Sequence, residues 1–184
     1  LLIYYVTVIA STAAMMVGIR KADHLLTAEA LGLLLIARRL SGTGSSLAQL
    51  GTSQTLIRYV GFHARHPATK RRYVVFATAV WLALAAVCLP AAILLSAPLA
   101  RVCFPGAAEG GEMVVWSTAL MLSMVATLTA HSTLLAEQQM ISAGIVTGME
   151  VGGFFLGLLL VLGRSSTPVA LVAGQAIGAT ALGA

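Results

Sequence analysis

Apolar residues run through this chain in stretches of roughly twenty, parted by short polar turns, and within each stretch they occupy every side of a helix. Residues 73–100, 113–136 and 165–184 contain no Asp, Glu, Lys or Arg. Stretches 1–19 and 138–163 also qualify, the second interrupted by Glu150 alone. A transmembrane strand would alternate polar and apolar residues, whereas these runs are continuous and rich in Leu and Ala. The pattern predicts an all-α fold, a polytopic membrane helical bundle of about six transmembrane helices, each able to cross about 30 Å of hydrocarbon. The expected helices cover about 1–19, 28–62, 72–100, 112–136, 140–163 and 167–184, in a single membrane domain spanning 1–184.

Local signals set the boundaries. Thr27 can cap the second helix. That helix, run to residue 62, is longer than the membrane is thick, so its last turns project into water before His66-Pro67 ends it. Pro90 predicts a kink in the third helix and Pro98 lies near its end. Pro168 suits the first turn of the sixth.

Composition agrees with a lipid environment. The 184 residues are 59% hydrophobic and 9% charged, with a mean hydropathy of +0.95, too apolar for an ordinary soluble domain. A net charge of +5 would suit nucleic acid, but the basic residues are scattered and no aromatic residues alternate with them, so nucleic acid is not an expected partner. The densest basic cluster, Arg65, Lys70, Arg71 and Arg72, is assigned to the cytoplasm. Arg20, Lys21, Arg101 and Arg164 then fall outside, four against four unless Arg58 joins the inner set. Leu1 to Ile19 reads as a membrane helix and not a signal peptide, because Arg20 and Lys21 follow with no small-residue cleavage site. Both ends stop inside apolar runs and are expected to be cut from a longer protein.

Candidate chemistry concentrates in the second helix. At 100° per residue, Arg38, Gly42, Ser45, Gln49 and Thr52 fall near one line, with Arg39, Ser46 and Ser53 beside them. Buried arginine in a membrane calls for a partner, a wet cavity or an anionic ligand. Arg38 and Arg39 are candidate contacts for a phosphate-bearing substrate, and Ser45, Gln49 and Thr52 candidate cavity residues. A structural pairing with Glu29, Glu150 or backbone carbonyls stands beside that reading. Glu150, the carboxylate deep in an apolar span, is a candidate coupling-ion site or the partner of an arginine. Gly144, Gly148 and Gly152 give the fifth helix a small-residue face. His131 is read as a helix-to-helix hydrogen bond. The four histidines and two cysteines show no metal-ligand spacing, and there is no nucleophile elbow, while SGTGSS is a weak match to a phosphate loop. No catalytic residue, metal or cofactor is expected.

The segments EALGLLLIARRL and SLAQLGTSQTLIRYVGFHARHP resemble the second helix and cytoplasmic turn of the polysaccharide biosynthesis flippases, relatives of the multidrug and toxin extruders. The matching positions are Glu29, Gly32, Leu50, Gly51, Ser53, Gln54, Leu56, Arg58 and Tyr59. The resemblance implies the N-terminal lobe of a two-lobe transporter in a bacterial inner membrane, with a C-terminal lobe completing it. It further implies movement of undecaprenyl-pyrophosphate-linked oligosaccharide to the outer leaflet for polysaccharide export. A multidrug extruder would favour carboxylates in its cavity, and two adjacent arginines speak against it. A membrane-embedded transferase or polymerase of the same pathway would need catalytic groups in a long external loop, and the loops here are short. An assembly partner that packs by its Gly faces is the remaining alternative.

Overall fold

The computed structural model describes residues 2–49, 51–63, 66–162 and 167–183. Eight helices make up these described residues: α1 Leu2–Leu25, α2 Ala28–Gln49, α3 Thr52–Phe62, α4 Pro67–Leu94, α5 Ser96–Cys103, α6 Gly110–Ala136, α7 Met140–Leu162 and α8 Pro168–Gly183. The fold is all-helical, as the continuous apolar runs predicted.

The helix ends follow from local chemistry. Thr27 Oγ1 accepts a hydrogen bond from the Ala30 amide at 3.3 Å and opens α2. Pro168 is the first residue of α8, where a missing N–H is no loss. Two predicted helices are each divided. The helix expected over 28–62 breaks at Gly51, which adopts φ 78° and ψ 6°, a left-handed conformation that stops one helix and caps the next. The helix expected over 72–100 begins earlier, at Pro67, and ends at Leu94. Pro67 therefore starts α4, for the same reason that Pro168 starts α8. Pro98 explains the other end, since its ring excludes the carbonyl of residue 94 and fits instead in the first turn of α5. Pro90 lies inside α4 and the helix runs through it.

The chain rises and falls about α6, which packs against α2, α3, α4, α5, α7 and α8, while α1 lies against α7. One end gathers the starts of α2, α6 and α8 around Thr27, Glu109 and Thr167. At the opposite end, Lys70 of α4 and Glu137 beyond α6 form an ion pair at 2.6 Å. One apolar cluster joins Leu34, Phe104, Met113 and Leu171 near the first end. A second joins Leu56, Val60, Ala77 and Ala136 near the other.

By length and composition, α4 and α6 are apolar enough to cross a membrane among the described residues. That is fewer than the six spans expected. α2 carries Glu29, Arg38 and Arg39 with a run of Ser, Gly and Thr. The two qualifying helices differ sharply in surroundings: 44% of the apolar window of α6 is buried, but only 6% of that of α4.

Candidate functional site

The buried face of α2 is Ala30, Leu34, Ala37, Ser41 and Ser45, set against α6. Ala37, Ser41 and Ser45 recur every four residues, and such a row of small side chains lets two helix backbones approach. Closeness shows at Gly44, where an added Cβ would stand 2.6 Å from Met121 Sδ of α6. Ser41 Oγ lies 2.9 Å from the Ala37 carbonyl and 2.8 Å from that of Ser117, and its bond to Ser117 ties α2 to α6 within a buried seam. Ser117 Oγ, in the same seam, is buried without a hydrogen-bond partner, and a cavity of about 160 Å³ lies beside both serines, lined also by Cys103 and Phe104.

This seam rearranges the predicted stripe. Ser45 is 2% exposed and its hydroxyl donates to the Gly42 carbonyl at 2.8 Å. Gln49 is half-buried; its Oε1 accepts from Ser53 Oγ at 2.9 Å across the Gly51 break, and its Nε2 is buried without a partner. Thr52 starts α3, so the straight line drawn through it at helical spacing is interrupted at Gly51. Arg38 is half-buried beside the seam, and Arg39 is exposed. The outward polar line on α2 is instead Arg39, Thr43 and Ser46, one helical turn apart and all exposed. The sequence carries a signal for the difference. Spacing by four of Ala37, Ser41 and Ser45 marks a packing face, and Ser46 is 100° round the helix from Ser45.

Polar groups also occupy the interior of α6. Ser123, Thr127 and Ser132 are buried, and the hydroxyls of Thr127 and Ser132 donate to the carbonyls four residues earlier. Satisfied in this way, a hydroxyl is tolerated in an apolar interior. His131 of α6 meets α7 as the sequence suggested: its Nδ1 is 3.1 Å from the Ala143 carbonyl and 3.0 Å from Thr147 Oγ1. A carbonyl only accepts, so the Ala143 contact is a hydrogen bond in the tautomer with the hydrogen on Nδ1, while the Thr147 hydroxyl can donate to the other tautomer. The Glu150 side chain lies outside the described residues, so its candidate coupling role stays a matter of sequence.

A cavity of about 310 Å³ sits among the first turns of α2, α6 and α8. Helix starts attract anions, but Glu29 and Glu109 line this one and their carboxylates oppose a phosphate. Among the described residues no three His, Cys, Asp or Glu side chains converge as metal ligands would. Cys88 and Cys103 are free thiols. No protein-family model, curated protein or solved structure matches the chain.

Proposed function

We propose that the chain is a multi-pass helical lobe of a bacterial inner-membrane transporter that moves a lipid-linked, pyrophosphate-bearing oligosaccharide between leaflets, with Arg38 and Arg39 receiving the phosphates. The carrying observation is the position of adjacent arginines midway along α2, one half-buried and one exposed, with Thr43 and Ser46 continuing the outward polar line. Guanidinium pairs suit a pyrophosphate, because planar donors bind its oxygens two at a time and compensate its charge away from bulk water. The resemblance of residues 29–63 to polysaccharide flippases supports the same substrate class. α4 supports the membrane setting, since an apolar helix so little covered by protein requires an apolar surrounding. In this reading six segments cross the bilayer, α2 with α3 and α4 with α5 each acting as one, and a second lobe faces the Arg39 side of α2. Glu150 is the candidate group for coupling to an ion.

Cysteine accessibility tests the wet path. In a background with Cys88 and Cys103 replaced by Ala, Thr43→Cys and Ser46→Cys in membranes react with a charged, water-borne thiol reagent, whereas Ser45→Cys and Val87→Cys do not. Inertness at 43 and 46 equal to that at 87 overturns the cavity. Arg38→Ala and Arg39→Ala each lower polysaccharide export at least about tenfold at normal protein level, the scale of one charge-assisted contact. Unimpaired export removes the phosphate assignment.

A further inference from the structure

Above the basic end of the bundle, the groove between α4 and α6 holds a cavity of about 430 Å³. Val74, Thr78 and Trp81 form its α4 wall, at i, i+4 and i+7, and small residues of α6, Ala126, Ala130 and Thr133 among them, form its floor. Its hydroxyls do not ask for a polar ligand. Thr78, Thr129 and Thr133 donate to the carbonyls of Val74, Val125 and Thr129 on their own helices, so the groove presents methyl groups and apolar side chains.

Two side-chain links between α4 and the α6 side flank the groove. At one end Lys70 pairs with Glu137; at the other, Trp81 Nε1 donates to the Leu122 carbonyl at 2.9 Å. Eleven residues of helix separate these tethers along α4, a length of about 16 Å. The Lys70 ammonium offsets the Glu137 charge there, and the second carboxylate oxygen accepts from Gln139 Nε2 at 2.9 Å. Arg71 and Arg72 remain as exposed positive charges at that mouth. At 100° per residue Arg71 lies about 60° from the Val74 line, on the groove side, and Arg72 about 160° away. At the same level of α4, on its α3 side, Tyr59 stacks on Tyr73 with centroids 5.5 Å apart, and His63 approaches Tyr73 at the same distance. Rings with one apolar and one polar edge suit the headgroup level of a membrane.

We propose that this groove seats one acyl chain of an anionic glycerophospholipid whose phosphate is held by Arg71. Charge complementarity selects the occupant: an apolar channel of satisfied hydroxyls ends in net positive charge, which matches a negatively charged headgroup above a hydrocarbon tail. The proposal needs the chain to reside in a membrane but is independent of what is transported.

Native mass spectrometry of the detergent-solubilised protein, titrated with phosphatidylglycerol or phosphatidylcholine of the same chains, tests it. The protein retains phosphatidylglycerol in preference. Arg71→Gln lowers that retention about fivefold, the scale of one basic residue near an anionic surface, and leaves phosphatidylcholine unchanged, while Arg72→Gln has a smaller effect. Ala130→Leu, which fills the floor, lowers retention of both lipids. Thr78→Phe does so from an exposed position, and it decides the matter if Ala130→Leu loses helicity. Equal retention of the two lipids, equal losses for Arg71→Gln and Arg72→Gln, or full retention in Thr78→Phe each overturns the seat. So does a dimer that Thr78→Phe dissociates, which would make a second copy the occupant. None of these outcomes bears on membrane residence, which extraction by alkaline carbonate reads separately.

Discussion

α4 and α6 are nearly equal in length, at 28 and 27 residues, and both are apolar enough to cross a bilayer, yet they occupy opposite situations. α6, the hub, is the one with Ser117, Ser123, Thr127 and Ser132 in its buried face. α4 carries its large apolar side chains outward, with Val87 68% and Leu94 80% exposed. In water the reverse order is expected, because α4 has the more apolar central window. Between lipid and protein the hydrophobic effect does not choose, and helices are sorted by how closely their surfaces pack and whether their polar groups are satisfied. On that account the helix with the buried hydroxyls takes the centre and the one with the more apolar window the rim.

The comparison breaks most readily at Leu120 of α6, which is 1% exposed. Leu120→Ala lowers stability by about 2–5 kcal/mol, chiefly through the cavity it leaves, and Val87→Ala in α4 changes it little. Reversible unfolding in mixed micelles measures both, and equal effects would dissolve the distinction between hub and rim. Next in size is Val87→Lys, which opposes membrane insertion by about 2.5–3.5 kcal/mol if α4 meets acyl chains. A glycosylation-mapped insertion assay reads it, and unchanged insertion would mean that water or protein covers this side. Gly51→Ala is smaller, at about 1–2 kcal/mol. Nothing lies within 4 Å of the Cβ it would add, so the whole effect is backbone conformation. Distances between spin labels at positions 39 and 58 show whether the two segments keep their angle. Last, Trp81→Phe removes the indole donor to Leu122 and weakens the α4–α6 tether by about 0.6 kcal/mol. A loss far beyond that would make the tether, and not packing, what binds α4 to the hub.

Helix type and most of the punctuation were legible in the residues. Thr27 and Pro168 start their helices where capping chemistry says they should, and the α6 and α7 boundaries lie within two residues of the expected ones. Prolines were harder, because Pro67 ends one reading of the chain and begins another, and only the first turn of α4 decides which. Gly51 was hidden because a single glycine inside a polar helical pattern is compatible with continuation. The stripe on α2 was half legible. Periodicity orders residues around a helix but does not say which side a neighbour takes, so the line of Arg38 and Ser45 reads as a cavity face although Ser45 belongs to the seam and Arg39, beside that line, is the exposed arginine. The unpartnered Ser117 hydroxyl had no signal beyond being a serine in an apolar run.

The bonds that join α6 to its neighbours are few in kind. Ser41 ties it to α2, Trp81 to α4, and His131 to α7, each through a backbone carbonyl. In an apolar medium such a link is worth about 0.6 kcal/mol, comparable to thermal energy. Carbonyls also repeat along a helix every residue, so a donor that slips by a turn meets another acceptor of the same kind. The acceptors along the central helix thus repeat like the teeth of a rail, and it is the fit of the side chains, as at Gly44 against Met121, that fixes which notch each flanking rod occupies.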